Sequence, residues 1–327
     1  MNSLAAQNAS ANVFQLGPVR RFDDWLHAMP HPGTLVEIAA PHVAVARWGA
    51  KGTNLEHAAS EPLPPGAVMP STLETNIPQP EAVRSALRRV LGDVSAAGIY
   101  VGLIVPDLVA RVFILPFDNL PRRASEALPL LRWRLKKSVP FDVEDTSVSW
   151  MRQDGREGAF EAITVVARRP ILREYESQLE SLGLRAGVVL SSTLAVLPLL
   201  EDRGATLLVR LCGKTLTTVI VRGSSLCVYR STEMRANSGA LEPQAMLDEV
   251  FPAVAYYQDS WSAGIDRARL SGFGARQSLF ATTLAHELKI AAGSLTETEA
   301  ARRLDGSARD LIPRGLDSFA GWTLNGD

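Results

Sequence analysis

Few side chains of this 327-residue chain have the types and spacing that a reaction or a metal ion needs. Cys212 and Cys227 are the only cysteines, and because no histidine lies near them they predict neither a zinc site nor a disulfide framework. Gly272 and Gly274 lie where a strand is predicted to turn into a helix. Their spacing allows a ligand to approach the backbone, but it also suits any tight turn. The sequence therefore predicts a binding site at most, with no catalytic residue and no metal ligand.

The segment from Pro121 to Phe141 predicts a short basic amphipathic helix. Ser125 can cap its first turn, and Pro140 ends it. Its apolar residues are three and four positions apart and therefore share one face: Leu128, Leu131 and Leu135. Much of the remaining surface is basic: Arg132, Arg134, Lys136 and Lys137. The leucine row either binds a partner protein or packs against a sheet of its own unit, and the sequence leaves both open.

The bulk composition excludes several classes of function. Hydrophobic residues make up 46% of the chain and charged residues 21%, as in ordinary globular proteins. The net charge of −1 does not favour a nucleic-acid partner. The longest apolar runs are far shorter than a bilayer span, and the N-terminus does not have the pattern of a signal peptide. We therefore expect a cytoplasmic protein that does not insert into a membrane.

Two stretches predict the elements that organise the chain. Thr34–Trp48 and Ala205–Val221 each predict two strands joined by a small turn, and this repeat indicates two related lobes that face one cleft. Between the two hairpins, apolar periodicity predicts helices at 80–92, 170–182 and 191–200, and strands at 98–106, 110–115 and 160–167. A further helix is predicted at 242–257, before the two glycines.

This order of elements resembles that of PilM proteins, the actin-like components of type IV pilus assembly, and more distantly the cytoplasmic domain of GspL. The resemblance covers Thr34 to Leu324, including the segments Leu63–Met69 and Ser318–Leu324. It implies an α/β, actin-like (ribonuclease H-like) two-lobed fold with a small inserted α+β subdomain. The implied parts are a partly disordered N-terminal extension (1–33), the first lobe (34–120), the inserted subdomain (121–170), a return to the first lobe with a linking helix (171–203), and the second lobe, whose C-terminal helix returns to the first (204–327).

In such proteins the turns of both hairpins hold phosphate and assist a metal ion, and the matching positions here are degenerate. In the first turn Glu37 replaces an aspartate, and Ala39 and Ala40 replace a glycine and a hydroxyl residue. In the second turn Arg210 replaces the acid, where its charge would repel a metal ion, and Gly213 is displaced by one position. Arg210 could instead bind a phosphate oxygen directly, but the simpler interpretation is a strand residue that points outward.

The implied site is a degenerate nucleotide cleft. Gly272 and Gly274 occupy the place of the family's adenosine motif and would complete the cleft with the two turns. ATP is the one candidate cofactor, and hydrolysis is not expected because a second acid is missing. His42, beside the first turn, is predicted to be exposed rather than a ligand.

The resemblance implies a cytoplasmic scaffold of type IV pilus assembly, peripheral at the inner membrane through its partner. In the family a PilN-like membrane protein docks its short N-terminal cytoplasmic peptide between the first lobe and the inserted subdomain. One alternative is an ATP-binding actin-like ATPase, and another is a GspL-like component of type II secretion. A sugar kinase would need a catalytic aspartate, for which the sequence offers no candidate. Self-association stays open.

Overall fold

The computed structural model describes residues 32–49, 54–92, 99–121, 123–155, 160–201, 203–234 and 241–324. The predicted N-terminal extension lies almost entirely outside these ranges. The strands are β1 (Thr34–Ile38), β2 (His42–Trp48), β3 (Leu55–Pro62), β4 (Tyr100–Val105), β5 (Ala110–Phe117), β6 (Thr146–Asp154), β7 (Phe160–Arg168), β8 (Arg185–Ser191), β9 (Ala205–Cys212), β10 (Thr215–Arg222), β11 (Ser225–Glu233), β12 (Arg267–Ser271) and β13 (Ala291–Ser294).

The α-helices are α1 (Pro80–Leu91), α2 (Ala124–Leu135), α3 (Arg169–Glu180), α4 (Ser192–Val196), α5 (Pro243–Trp261), α6 (Gln277–Leu288), α7 (Glu299–Arg303), α8 (Gly306–Arg309) and α9 (Asp317–Thr323). Short 3-10 helices cover Asp107–Val109, Val143–Asp145, Leu197–Leu199, Gly274–Arg276 and Leu295–Glu297.

The two lobes contain sheets of the same topology. The first sheet has the order β3-β2-β1-β4-β8 and the second β11-β10-β9-β12-β13. In each, an antiparallel three-stranded meander is extended by two strands parallel to its first strand. All five residues of β1 are buried because elements cover both faces of the central strand. The predicted repeat of the two hairpins is therefore confirmed, and with it the actin-like fold.

A three-stranded antiparallel sheet, β5-β7-β6, forms the inserted subdomain. Its first strand, β5, begins at Ala110. The sequence had placed this strand in the first lobe (34–120), but in the structure it belongs to the inserted subdomain. One face of the sheet contributes Val112, Ile114 and Ile163 to the core between the lobes. The other face is covered by α2, which forms the outermost layer of the subdomain.

The predicted leucine row of α2 packs inward. Leu131 and Leu135 have no exposed side-chain surface and lie against the subdomain's own sheet, and Leu128 is partly buried beside them. A partner could reach Leu131 or Leu135 only by opening the subdomain. Of the two alternatives that the sequence left open, the geometry therefore supports packing against the sheet.

The C-terminal helix joins the two lobes. Gly321 in α9 lies so close to α4 that an added Cβ atom would overlap the carbonyl oxygen of Ala195. At the other end of the contact, Trp48 of β2 donates a hydrogen bond from Nε1 to Thr323 Oγ1 at 3.1 Å and packs edge-on against Phe319. These contacts hold α9 against the first lobe, at the base of the cleft between the lobes.

A pair of neighbouring leucines tests the packing of α2. We expect Leu131→Asp to lower the free energy of unfolding by at least about 3 kcal/mol, because it buries a carboxylate without a partner. Leu130→Asp should change it by less than about 0.5 kcal/mol, because Leu130 is 41% exposed. Urea unfolding of both variants measures the difference. Equal effects of the two substitutions would contradict the orientation of the helix.

Candidate functional site

The turns of the two hairpins meet between the lobes. An ideal Cβ atom built on Gly213 would lie 3.5 Å from Ala40 Cβ and 3.5 Å from Pro41 Cδ. The gap beside Gly213 would therefore be filled by a single methyl group, and a phosphate group placed between the turns would have to widen it. Gly213 adopts a positive φ of 58°, which favours glycine at this position.

Arg210 lies at the centre of the same cleft. It is on β9 and only 3% exposed, so the interpretation of it as an outward-pointing strand residue is wrong. Its Nε and Nη2 donate to Oδ2 and Oδ1 of Asp317 at 3.0 and 2.7 Å, a two-pronged arrangement that suits the planar guanidinium. Nη1 donates to Ser192 Oγ at 2.8 Å. Arg210, a cation of the second lobe, is therefore hydrogen-bonded to the first residue of α9 and to the first residue of α4.

A second buried carboxylate, Asp107, faces Arg210 from the first lobe. It follows β4 at the start of a 3-10 helix, 3.9 Å from the nearest guanidinium nitrogen. Its oxygens accept hydrogen bonds from the following groups of both lobes: Ser192 Oγ, Thr193 N and Oγ1, Thr217 Oγ1 and Tyr229 OH. The bonds from Thr217 on β10 and Tyr229 on β11 cross the boundary between the lobes. The carboxylate thus acts as a hydrogen-bonded joint between them.

Arg210 and Asp317 stabilise each other's charge in the cleft. Burial alone would raise the pKa of Asp317, but the Arg210 guanidinium and hydrogen bonds from Arg210, Ser271 and the Ser318 N–H hold it below its ordinary value. Burial likewise opposes the charge on Arg210, yet Asp317 holds the pKa of Arg210 well above its ordinary value. Both groups are therefore ionised at neutral pH. Burial raises the pKa of Cys212 to about 12, which keeps this neighbouring thiol protonated and unsuited to nucleophilic chemistry.

Glu37 closes the network on the first-lobe side. Its Oε2 accepts a hydrogen bond from Ser318 Oγ at 2.9 Å, and its side chain is 1% exposed. His42 Nε2 lies 3.8 Å from the same oxygen, and the His42 side chain is 18% exposed, so the prediction of an exposed turn histidine is wrong. Among the described residues, Glu37 Oε1 and His42 Nε2 have no hydrogen-bond partner. No group of three or more potential metal ligands occurs in the described ranges.

The two glycines of the predicted adenosine motif have different surroundings. Gly272 has a φ of 86°, and an added Cβ atom would overlap the carbonyl oxygen of Leu211, so close strand packing alone requires glycine there. Gly274 has a φ of 55° and no neighbour within 4 Å of the position of a Cβ atom. Gly272 is therefore explained by packing without any nucleotide.

The structure brings most of the predicted site residues together and adds others. Glu37, Ala39, Ala40, Arg210 and Gly213 belong to or adjoin the two turns. The carboxylates Asp107 and Asp317, which dominate the electrostatics, were not predicted from the sequence. Two signals could have found them: Asp107 is the first acidic residue after the buried strand β4, and Asp317 precedes the small-residue segment that begins at Ser318.

Two lobes of like topology around a closed cleft define an actin-like fold, and comparisons with known structures agree. No protein-family model matches the chain, and a comparison with curated proteins finds no match. Its fold is similar to that of a solved PilM-PilN type IV pilus biogenesis complex, with a TM-score of 0.69, 18% identity, and coverage of 91% of this chain and 99% of that chain. At this identity the likeness shows the fold, and it confirms the PilM-like architecture that the sequence predicts.

Two further structures are more distant. A protein of Bacteroides thetaiotaomicron with an actin-like ATPase fold and unknown function has a TM-score of 0.47, 9% identity, and coverage of 79% of this chain and 89% of that chain. The cytoplasmic domain of EpsL, an inner membrane component of the type II secretion system of Vibrio cholerae, has a TM-score of 0.46, 15% identity, and coverage of 72% and 80%.

Removing the central cation should destabilise the whole fold. We expect Arg210→Met to lower the free energy of unfolding by about 3–5 kcal/mol at neutral pH, because it leaves Asp317 and Asp107 buried with less compensation. Arg230→Met is the matched control: its ion pair with Glu249 is half exposed and should contribute at most about 1 kcal/mol. Urea unfolding measures both. Similar losses in the two variants would count against the central role of Arg210.

The same variant should respond to pH in a defined direction. In the wild type the lowered pKa of Asp317 stabilises the folded protein at pH values above the unfolded-state pKa of this carboxyl group. This stabilisation is lost only as the pH falls through the folded-state pKa. Without Arg210, burial favours the protonated form of Asp317 and so raises its pKa. The contribution of Asp317 to the stability of the folded protein is then lost as the pH rises. The stability difference between wild type and Arg210→Met should therefore shrink on acidification from neutral pH to about pH 4. A difference that stays constant or grows in urea titrations at the two pH values is incompatible with this assignment.

Proposed function

We propose that this protein is a cytoplasmic scaffold of type IV pilus assembly that binds the cytoplasmic tail of an inner-membrane PilN-like protein. The observation that carries the proposal is a PilM-like fold whose cleft is closed by its own buried ion pair. A fold alone does not define an activity. The state of the cleft is what favours a binding role over an enzymatic one.

The chemistry of the cleft argues against ATP hydrolysis. A hydrolase of this kind needs acids that hold a metal ion beside the phosphates. Here Asp107 and Asp317 already have their oxygens engaged by Arg210 and by hydroxyl and backbone donors. The guanidinium also places a positive charge beside these acids, where it would repel a metal ion. ATP would have to break this network before it could bind.

The tail would dock where the first lobe meets the inserted subdomain. Met69 and Leu73 are 56% and 46% exposed, although both are large and apolar. The subdomain holds their loop in place, because Arg168 at the end of β7 donates to the Leu73 carbonyl oxygen at 2.8 Å. Asn76 fixes the same loop through Glu174 of α3, whose carboxylate accepts from the Asn76 N–H at 2.7 Å. Exposed apolar anchors on an ordered loop suit a short peptide.

Binding of a tail peptide tests the proposal. The probe is the synthetic N-terminal cytoplasmic peptide of a single-span membrane protein encoded next to this chain. We expect saturable binding in calorimetry, with Leu73→Asp and Met69→Asp each weakening it about tenfold or more through loss of an apolar anchor. Leu279→Asp is the matched control, since Leu279 is 48% exposed on α6 of the second lobe. Undiminished binding by the Leu73→Asp, Met69→Asp double variant would exclude this surface, and absence of binding to the wild type would remove the proposal.

The absence of turnover is a separate expectation. In a phosphate-release assay with ATP and Mg²⁺, the wild type should not exceed the buffer background, because the acids of the cleft are engaged by Arg210 and other donors. Glu37→Ala should give the same result. Turnover by the wild type that Glu37→Ala abolishes would establish the ATPase alternative instead.

A further inference from the structure

The outer face of α2 is apolar and unpartnered. Trp133 is 67% exposed, more than any other large apolar side chain in the described part of the chain, and Leu130, three residues earlier, is 41% exposed. Residues three apart on a helix share one face, so the two side chains project together. Pro129 is exposed beside them. This apolar face points away from the leucine row that packs on the sheet.

The position of α2 leaves this face open to its surroundings. The sheet beneath α2 turns its other side toward the core between the lobes, so the helix is the outermost layer of the subdomain. The apolar side chains that pack with α2 all come from the subdomain itself, within residues 113–166. We call the exposed face formed by Leu130 and Trp133 the ridge.

Basic residues surround the ridge. Residues 123–138 contain five Lys or Arg and one Glu, in a chain whose net charge is −1. The single acid, Glu126, is paired with Arg123 at 3.6 Å. Lys136 and Lys137 are exposed directly after the helix.

Three acids lie in the short segment that follows the two lysines. Glu144 accepts from Arg132 Nη1 at 2.7 Å, and Asp142 caps the 3-10 helix at Val143–Asp145. Asp145 is exposed on that same short helix, which follows the two lysines. Since Arg123 and Arg132 are paired with acids, the positive charge beside the ridge comes chiefly from Lys136 and Lys137.

We propose that this ridge adsorbs to the surface of an anionic lipid bilayer, with Trp133 and Leu130 at the level of the headgroups. Tryptophan prefers the membrane–water interface, where its ring is buried and its N–H stays solvated. Lysines beside it are attracted by anionic lipids, and amphipathic helices with this pattern lie flat on such surfaces. The contact is independent of the tail docking proposed above, and it does not require a helix that crosses the bilayer; none of the described helices is long and apolar enough to do so.

Vesicle co-sedimentation with the full chain and no tail peptide tests this proposal. The probes are vesicles of phosphatidylcholine alone and of phosphatidylcholine with phosphatidylglycerol. We expect binding to the anionic vesicles only, and weaker binding as salt is added. Trp133→Ala and the double variant Lys136→Glu, Lys137→Glu should each reduce the partition coefficient about fivefold or more.

Two controls match these variants. Tyr256→Ala removes an aromatic ring that is 56% exposed on α5, and Arg302→Glu with Arg303→Glu reverses an adjacent basic pair on α7. Neither should alter partitioning, and melting curves check that every variant is folded. Equal sedimentation of the wild type with neutral and anionic vesicles would overturn the proposal. So would the absence of sedimentation at low salt, or binding that the α2 variants leave unchanged.

Discussion

The buried ion pair between Arg210 and Asp317 is the interaction on which the arrangement of the two lobes depends. Both groups have left water, a cost that only good geometry and complete hydrogen bonding can offset. That condition is met, since the guanidinium bonds both carboxylate oxygens and Ser192. Because Asp317 begins the helix that packs on Trp48, an Arg on the second lobe fixes an element that contacts the first.

This arrangement explains how an actin-like fold can remain closed without a nucleotide. In an ATPase of this fold the ligand and its metal ion would supply charge between the lobes. Here a side chain of the protein supplies positive charge, and Asp107 and Asp317 supply the negative charge. The buried pair of Arg210 and Asp317 therefore connects the two lobes without a bound ligand. The two binding roles that we propose accordingly use outer surfaces, namely the junction at Leu73 and the ridge at Trp133.

The sequence predicted the architecture better than the site. The two hairpins were predictable because β-branched and apolar runs around a small turn are local signals, and their repetition implied two lobes. The orientation of Arg210 was not predictable, because its partners are distant in sequence: Asp317 lies 107 residues away. The same limit applies to Leu131, whose helical face was evident while its burial depended on a sheet formed by β5, β6 and β7.

Hydrogen exchange at two backbone amides tests most directly whether the network replaces a nucleotide. The N–H of Thr193 donates to Asp107 at 2.8 Å, and the N–H of Ser318 donates to Asp317 at 3.0 Å. If the network holds the cleft closed by itself, both amides should exchange as slowly as global unfolding allows in the nucleotide-free protein, and ATP with Mg²⁺ should not slow them further. Rapid exchange that becomes slow on addition of ATP would contradict the account, because it would show a cleft that the nucleotide closes.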